Sequence, residues 1–415
     1  MEKYLFKLWG SVYFIIVISI FMGIGILLNP TIGSAQKEFV WAQIDDYSGP
    51  FSATGEEGIR ATVMFLEERD HKIGSFKIKL VTRDTELKPA VGVRRLNEVI
   101  DEFKPAVVSS GCSSAVQIAM QDIIGKRKGP VFWTEAGESR LTSELGNRYS
   151  FRWASPTYAI VKSTLYGFLE KYPEVKSMIQ MQMDYAYGYD QAKFVENILK
   201  EKNVKLIKSQ FIPMTATDIS SFVTEAKISG ADVCYMAFYG KIQGVGLNQA
   251  HEFGLNKVMK TLNCYATIPT LRGVKPEAVE GVFLADEWFP GMPNELSRIF
   301  VEKYKKRWGV IPSNYAAQKY ITCQLMEKVI VKTDSADPKV LIPALENLGE
   351  FDGPTGKEYI SGWQHQVHHD YLLLRGKSVR EKKFDDDFFE LIGRARHFPK
   401  QGDEGFKFDR TKDPL

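Results

Sequence analysis

Two successive series of alternating strands and helices most restrict the fold of this 415-residue sequence. Apolar runs typical of buried strands alternate with segments of helical periodicity. Four such runs precede Ser155-Pro156-Thr157, at residues 39–44, 76–82, 106–110 and 129–133. A second series runs from a helix at 159–171 to a strand at 260–264. This repeat predicts an α/β fold with two doubly wound parallel-sheet lobes, a hinge and a ligand cleft between the lobes.

The first 35 residues have the pattern of an export signal. Lys3 and Lys7 precede the apolar run Val12–Leu28, and Gly33-Ser34-Ala35 supplies the small residues that a signal peptidase needs. We predict a signal peptide over 1–35 that is cleaved after Ala35. The alternative is an uncleaved membrane anchor, because the apolar run is nearly long enough to span a bilayer.

Composition and motif spacing argue against several classes of function. The formal net charge is +3 without long basic runs, which predicts no nucleic-acid partner. The four cysteines show no metal-ligand spacing, and no glycine-rich phosphate loop follows a strand. His365, His368 and His369 lie close together, but strand alternation turns them to opposite faces. We therefore expect no metal and no cofactor.

The stretch from Ala106 to Thr142 is predicted to form one edge of the cleft. It reads as a strand, a turn at Gly111-Cys112-Ser113-Ser114, a helix, and a second strand at 129–133 that ends in a polar loop. Two parallel strands joined by a helix end at the same sheet edge, where open α/β folds bind ligands. Ser113 and Ser114 begin the helix, a position that favours an anion. The alternative is that one of these serines only caps the helix.

With these features, the chain resembles a known group of proteins. It is similar to the periplasmic solute-binding proteins of ABC importers, in the leucine/isoleucine/valine-binding branch of the type I periplasmic binding proteins. The resemblance covers about residues 39–377. It is carried by Ser48-Gly49-Pro50, Gly111-Cys112-Ser113-Ser114, Asp184-Tyr185-Ala186-Tyr187-Gly188, the segment from Gln249 to Leu255, and Val279-Glu280-Gly281.

The resemblance implies roles for residues on both sides of the cleft. A serine matching Ser113 holds the ligand's carboxylate, helped by the loop matching Glu135-Ala136-Gly137. Tyrosines matching Tyr187 and Tyr239 close the pocket from the other lobe. Trp133 ends the preceding strand and is a further candidate for the pocket wall.

One position departs from the pattern of that group. An acidic residue there pairs with the ligand's ammonium group, and Cys264 occupies the matching position here. A buried ammonium without a partner costs several kcal/mol, so we expect leucine, isoleucine and valine to bind weakly or not at all. Glu135 and Glu138 are candidates to replace the missing carboxylate, and the alternative is that both point into solvent.

The implied function is extracytoplasmic capture of a small solute by hinge closure, with delivery to a membrane ABC permease. The solute would be amino-acid-like, a carboxylate, an amide or an aromatic acid, and the protein a monomer in the periplasm. A sensor that presents its ligand to a membrane receptor is the alternative. An enzyme is disfavoured, since the glycine before Cys112 is not part of a G-x-S-x-G motif and no histidine is placed as its base. The expected segments are a signal peptide (1–35), lobe 1 (36–155 and 285–360), lobe 2 (156–284 and 361–380) and a C-terminal tail (381–415).

Overall fold

The protein is described here from a computed structural model, which describes residues 37–415. The predicted signal peptide at 1–35 lies outside the described residues. Within 37–415, none of the helices is long and apolar enough to cross a membrane. Residues 38–415 form one compact unit.

The strands of the described chain form two sheets. In chain order they are β1 (Lys37–Asp45), β2 (Lys72–Ile73), β3 (Phe76–Asp84), β4 (Val107–Ser110), β5 (Val131–Thr134), β6 (Ser150–Arg152), β7 (Ser177–Met183), β8 (Lys205–Ile212), β9 (Val233–Ala237), β10 (Lys260–Asn263), β11 (Phe283–Asp286), β12 (Glu350–Gly353), β13 (Gly356–Ser361), β14 (Gln366–His368), β15 (Tyr371–Gly376) and β16 (Phe389–Ala395).

Helices fill most of the connections between these strands. The α-helices are Ser52–Glu67, Pro89–Phe103, Ser114–Arg127, Thr157–Lys171, Ala186–Glu201, Ser220–Ile228, Lys241–Glu252, Ile268–Leu271, Pro276–Val279, Glu295–Trp308, Asn314–Thr333 and Pro338–Glu346. Short 3-10 helices occur at Gly49–Phe51, Ser139–Thr142, Leu255–Lys257, Val379–Glu381 and Arg410–Lys412.

The first sheet, with the helices that cover it, forms the first lobe. Its strand order is β12-β13-β14-β6-β5-β4-β1-β3-β2. Strands β1, β4, β5 and β6 pair in parallel, with Trp41 opposite Val107 and Phe132 opposite Ser150. The four residues of β4 and of β5 are all buried, as expected for strands covered on both faces.

The second sheet forms the second lobe in the same way. Its order is β16-β15-β11-β10-β9-β7-β8, and β7 to β11 pair in parallel. Two antiparallel strands, β15 and β16, extend the sheet beyond β11. The prediction of a two-lobed α/β fold with parallel-dominated sheets is therefore confirmed.

Three connections carry the chain between the two sheets. The first follows β6, the second follows β11 and leads to the helix Glu295–Trp308, and the third is the short link between β14 and β15. The helix Asn314–Thr333 returns to the first lobe and packs on the helix Ser52–Glu67. Its first turn therefore faces the cleft between the lobes.

Two regions near the C-terminus contain strands that the sequence pattern did not reveal. Residues 350–368 form the antiparallel edge of the first sheet, and β14 joins that edge to β6 with Gln366 opposite Arg152. Residues 381–415, predicted to be a charged tail, include β16 on the edge of the second sheet. Most of these strands pair with a neighbour in sequence, and only β14 pairs with a distant strand, β6. They are short or only partly buried, so their apolar pattern is too weak to predict a strand.

Candidate functional site

A cavity lies between the lobes, where strands from both sheets end. It has about 380 Å³ of unfilled space including its mouth and open solvent. Most lining residues directly follow β4, β5, β6, β7, β9 or β10, and the others begin the helix Asn314–Thr333. They are Cys112, Glu135, Gly137, Ala154, Tyr185, Tyr187, Tyr239, Tyr265, Asn314, Tyr315 and Gln318.

The side chain of Asp46 accepts a hydrogen bond at the start of the helix Ser114–Arg127. The backbone N–H of Ser113 donates to Asp46 Oδ2 at 3.1 Å, and the Thr85 hydroxyl donates to Asp46 Oδ1. Gly111 allows this approach, because a Cβ there would lie only 2.7 Å from Asp46 Oδ2. Burial and the neighbouring Asp45 raise the pKa of Asp46.

Glu135 is a buried carboxylate that lines the cavity. Thr322 donates to its Oε1 at 3.2 Å, whereas its Oε2 has no hydrogen-bond partner among the described residues. Burial raises the pKa of Glu135 to about 7, against the opposing effect of nearby Lys319. The alternative that Glu135 and Glu138 point into solvent is wrong, since both side chains are almost fully buried.

Glu138 lies in the same loop but faces away from the central cavity. Its Oε1 accepts from Arg140 Nε at 2.8 Å, and it lines a separate surface cavity with Asp190 and Lys193. The pair with Arg140 already supplies a cation to this carboxylate. Glu138 is therefore not in position to replace the acid that the sequence lacks at Cys264.

Tyrosines of the second lobe form the opposite wall. The Tyr187 hydroxyl accepts from Gln191 Nε2 at 2.5 Å, and Gln191 Oε1 accepts from the Tyr235 hydroxyl at 2.8 Å, which fixes the ring. Tyr239 packs edge-on against Phe51 of the first lobe, with ring centroids 5.6 Å apart. The lobes are thus in contact around the cavity.

Two glycines make this contact between the lobes sterically possible. A Cβ at Gly137 in the first lobe would lie 2.9 Å from Tyr187 Cε2 in the second. A Cβ at Gly240 in the second lobe would lie 2.7 Å from the Phe51 ring, and this glycine has a φ of +65°. Heavy atoms this close overlap, so any larger residue at either position separates the lobes or forces a side chain to move.

The helix Asn314–Thr333 supplies residues that sequence reasoning missed. Gln318 Nε2 donates to Glu287, and Asn314 Nδ2 donates to Asp286 Oδ1 at 3.1 Å. Burial and the neighbouring Glu287 raise the pKa of Asp286, and burial raises the pKa of Glu287 to about 6. The available signal was the cluster of polar residues in the first turns of a buried helix, directly after the cap residue Ser313.

Other predicted site residues lie next to the cavity but outside its lining. Trp133 is in the core, where its Nε1 contacts Met326 Sδ at 3.2 Å. The Cys264 thiol donates to the Phe238 carbonyl at 3.1 Å. Ser113 occupies the N-cap position without a side-chain capping bond. Ser114 and Ala136 are buried behind the lining, and the Ala136 N–H donates to the Thr134 hydroxyl at 3.2 Å.

This architecture, two lobes around a cavity at their strand ends, agrees with the comparison with known families. The periplasmic binding protein profile matches residues 42–383, well over half of the sequence. The chain belongs to the periplasmic binding protein family. Leu/Ile/Val-binding protein homolog 7 of Brucella abortus (strain 2308) is 25% identical over 345 residues, which cover 78% of this chain and 85% of the relative.

Solved structures of solute-binding proteins share the fold of this periplasmic binding protein. An amino acid ABC transporter substrate-binding protein of Pseudomonas fluorescens Pf-5 is 26% identical with a TM-score of 0.83, over 89% of this chain and 99% of that one. A Rhodopseudomonas palustris BisB5 solute-binding protein, in complex with 3,4-dihydroxybenzoic acid, shares the fold with a TM-score of 0.78 at 20% identity, over 86% and 97% of the two chains. The sequence-based prediction of a solute-binding protein of an ABC transporter is confirmed, and family membership implies export to the periplasm.

Proposed function

We propose that the cavity lined by Glu135, Gly137, Tyr187 and Tyr239 is the solute site of this periplasmic binding protein. Residues of both lobes form its wall, so a solute bound there stabilises the arrangement in which the lobes are in contact. The close approach of Gly137 to Tyr187 is the observation that carries this proposal. It joins a loop of the first lobe to a tyrosine of the second directly over the cavity.

The same proposal covers the partners of the mature protein. The closed, solute-loaded chain delivers its solute to a membrane ABC permease. It does so as a monomer, after cleavage of the signal peptide behind Ala35. The Pseudomonas protein is a substrate-binding protein of an amino acid ABC transporter. This similarity, together with the family profile that spans residues 42–383, supports transport over sensing.

A thermal-shift screen of residues 36–415 tests the solute site. The panel comprises amino acids, amines, amides, polyols and aromatic acids. Aromatic acids are included because structures of this fold hold 3,4-dihydroxybenzoic acid, benzoate and 4-hydroxybenzoate. A solute at 100 times its Kd adds about 2.7 kcal/mol of stability. We expect a stabilising solute whose effect is lost in Tyr187→Ala.

Tyr189→Ala is the matched control for Tyr187→Ala. Tyr189 belongs to the same helix but is half exposed and packs on Phe211, away from the cavity. The response to the solute should survive in this variant. A solute that stabilises wild type and Tyr187→Ala equally would place its site elsewhere and reject the proposal.

A further inference from the structure

The position that the family resemblance assigns to a ligand carboxylate is already occupied. The N–H group of Ser113, at the helix start, donates to Asp46, and the Cys112 thiol lies 3.9 Å from the same oxygen. The buried Lys319 lies 3.4 Å from Asp45 Oδ2 and donates to the Ser110 carbonyl, so its ammonium group is already paired. A ligand carboxylate entering here would meet the carboxyl group of Asp46.

Within residues 37–415, the lining itself contains one acidic group and no basic one. Among the described residues that line the cavity, Glu135 is the only one with an ionisable acidic or basic group other than tyrosine and cysteine. Behind the lining lie the further buried carboxylates Asp46, Asp286 and Glu287. In a low-dielectric cavity this arrangement favours a cation or a neutral hydrogen-bond donor over an anion.

Two acceptor atoms at the cavity have no donor. Gln318 donates its amide Nε2 to Glu287, which leaves its buried Oε1 without a hydrogen-bond partner among the described residues. Glu135 Oε2 is unpartnered in the same way. A buried acceptor without a donor costs about 1–3 kcal/mol, so a ligand that donates hydrogen bonds to both atoms gains this energy.

Three further polar groups of the lining have donors that are already bonded to the protein. The Asn314 amide N–H groups donate to Asp286, the Tyr315 hydroxyl donates to Asp45, and the Tyr265 hydroxyl donates to the Ser155 carbonyl. A ligand acceptor gains no hydrogen bond from these three side chains. The rings of Tyr185 and Tyr187, with centroids 6.0 Å apart, provide aromatic walls that suit an apolar body or a cation.

We infer that the solute is a small molecule that presents an N–H donor group, a primary amine or a primary amide, to Glu135 Oε2 and Gln318 Oε1. Its body is compact and apolar, packs against Tyr185 and Tyr187, and carries no carboxylate. This inference rests on the proposed solute site and names the chemistry that the site selects.

Matched sets of ligands test the inference directly. Benzylamine, benzamide and benzoate form one set, and isopentylamine, isovaleramide and isovalerate form a second, each titrated at pH 7.5 by calorimetry. We expect the amine or the amide of at least one set to bind at least tenfold more tightly than the carboxylate. Glu135→Gln should weaken an amine at least tenfold and an amide much less, because only the amine requires a charged partner.

Glu138→Gln is the matched control, a buried acid of the same loop that faces Arg140 instead of the cavity. It should bind every ligand as wild type does. Tighter binding of either carboxylate than of its amine and amide overturns the inference, as does silence from both sets. A different solute from the wider panel, bound in wild type and lost in Tyr187→Ala, would then still support the solute site itself.

Discussion

Ionisation of Glu135 should make the capture of an amine depend on pH. Burial raises the pKa of this carboxyl to about 7, as do Asp45 and Glu287, while Lys319 and the bond from Thr322 oppose the rise. Above pH 7 the carboxylate is available to an ammonium ligand. Below it, proton binding competes with the ligand, and affinity should fall by about 30-fold between pH 8 and pH 5.5.

Calorimetric titration of an amine ligand across that pH range measures this effect. In Glu135→Gln the affinity should be weak and nearly independent of pH, which separates Glu135 from the nearby acids Asp46 and Glu287. An amide ligand serves as the neutral control and should show little loss at low pH. An unchanged pH profile in Glu135→Gln would contradict the role given to this residue.

Glu358 should link stability to pH, away from the cavity. This buried residue of β13 accepts hydrogen bonds from Trp153 and Thr355, yet burial raises the pKa of its carboxyl to about 8. A folded-state pKa above the unfolded value gives stability that is complete below about pH 4.5 and is lost as pH rises through about 8. Glu358→Gln removes this ionisation, so its stability relative to wild type should rise by roughly 4 kcal/mol between pH 5 and pH 8.5.

Urea unfolding at pH 5 and pH 8.5 measures the gain, with the exposed Glu350 of neighbouring β12 substituted by glutamine as the control. The control should follow wild type at both pH values. If the difference in unfolding free energy between Glu358→Gln and wild type is the same at pH 5 and pH 8.5, Glu358 keeps one protonation state over this range and the prediction is wrong.

The family resemblance predicted Glu135, Gly137, Tyr187 and Tyr239 as pocket residues, and all four line the cavity. Each follows the carboxyl end of a parallel strand, in one sheet or the other. Gln318 was not predicted to line the cavity, since it belongs to a helix whose contact with the cleft is set by long-range packing. The hydrogen bond between Asp46 and the start of the helix Ser114–Arg127 was not predicted for the same reason, because 67 residues separate Asp46 from Ser113.

At the level of elements, the loop after β5 should control closure through Gly137. An alanine there would bring its Cβ within 2.9 Å of Tyr187 Cε2 when the lobes are in contact, but would meet no such atom when they separate. Gly137→Ala should therefore weaken solute binding at least tenfold while leaving the unfolding free energy of the solute-free protein nearly unchanged. Calorimetry and urea unfolding measure the two quantities.

Gly273→Ala is the control for this substitution. Its added Cβ would lie 3.6 Å from the Thr270 carbonyl oxygen, an ordinary van der Waals distance, and this glycine is outside the cavity lining. Binding should match wild type. Wild-type affinity in Gly137→Ala would mean that Tyr187 yields without cost and that this contact does not restrict closure.

The elements that periodicity predicted best are the buried ones. The helix expected over 159–171 spans Thr157–Lys171, and the strand expected over 129–133 spans Val131–Thr134. Strands β12 to β14 and β16 are short, interrupted by glycines or partly exposed, although most of them pair with a strand close in sequence. Their apolar pattern is correspondingly weak, although they complete the edges of both sheets.

At the scale of the whole molecule, the C-terminal segment contacts both lobes beside the hinge. The Phe406 ring packs edge-on against Tyr158 of the second lobe, with centroids 5.3 Å apart, and 6.4 Å from Trp363 of the first lobe. The backbone N–H of Arg410 also donates to the Trp363 carbonyl at 2.8 Å. Residues that follow β16 therefore connect the two lobes through direct contacts.

Across the cleft, Arg272 should stabilise the closed arrangement. Its Nη2 donates to the Ile311 carbonyl at 2.7 Å, and its Nη1 lies 3.4 Å from Glu57 Oε1, so a residue of the second lobe binds two groups of the first. Glu57 is buried and also accepts from the Ser313 N–H at 2.7 Å. These contacts between lobes exist only when the lobes approach, and separation breaks both.

Arg272→Met should therefore shift the solute-free protein toward the open arrangement and weaken solute binding about fivefold, the equivalent of ~1 kcal/mol. Small-angle X-ray scattering should report a larger radius of gyration without solute and the wild-type value at saturation. Arg298→Met is the control, because within residues 37–415 Arg298 pairs only with Glu295 and Glu302 of its own exposed helix face. If both variants scatter and bind as wild type does, closure depends on the contacts around the cavity, and Arg272 contributes only to the surface.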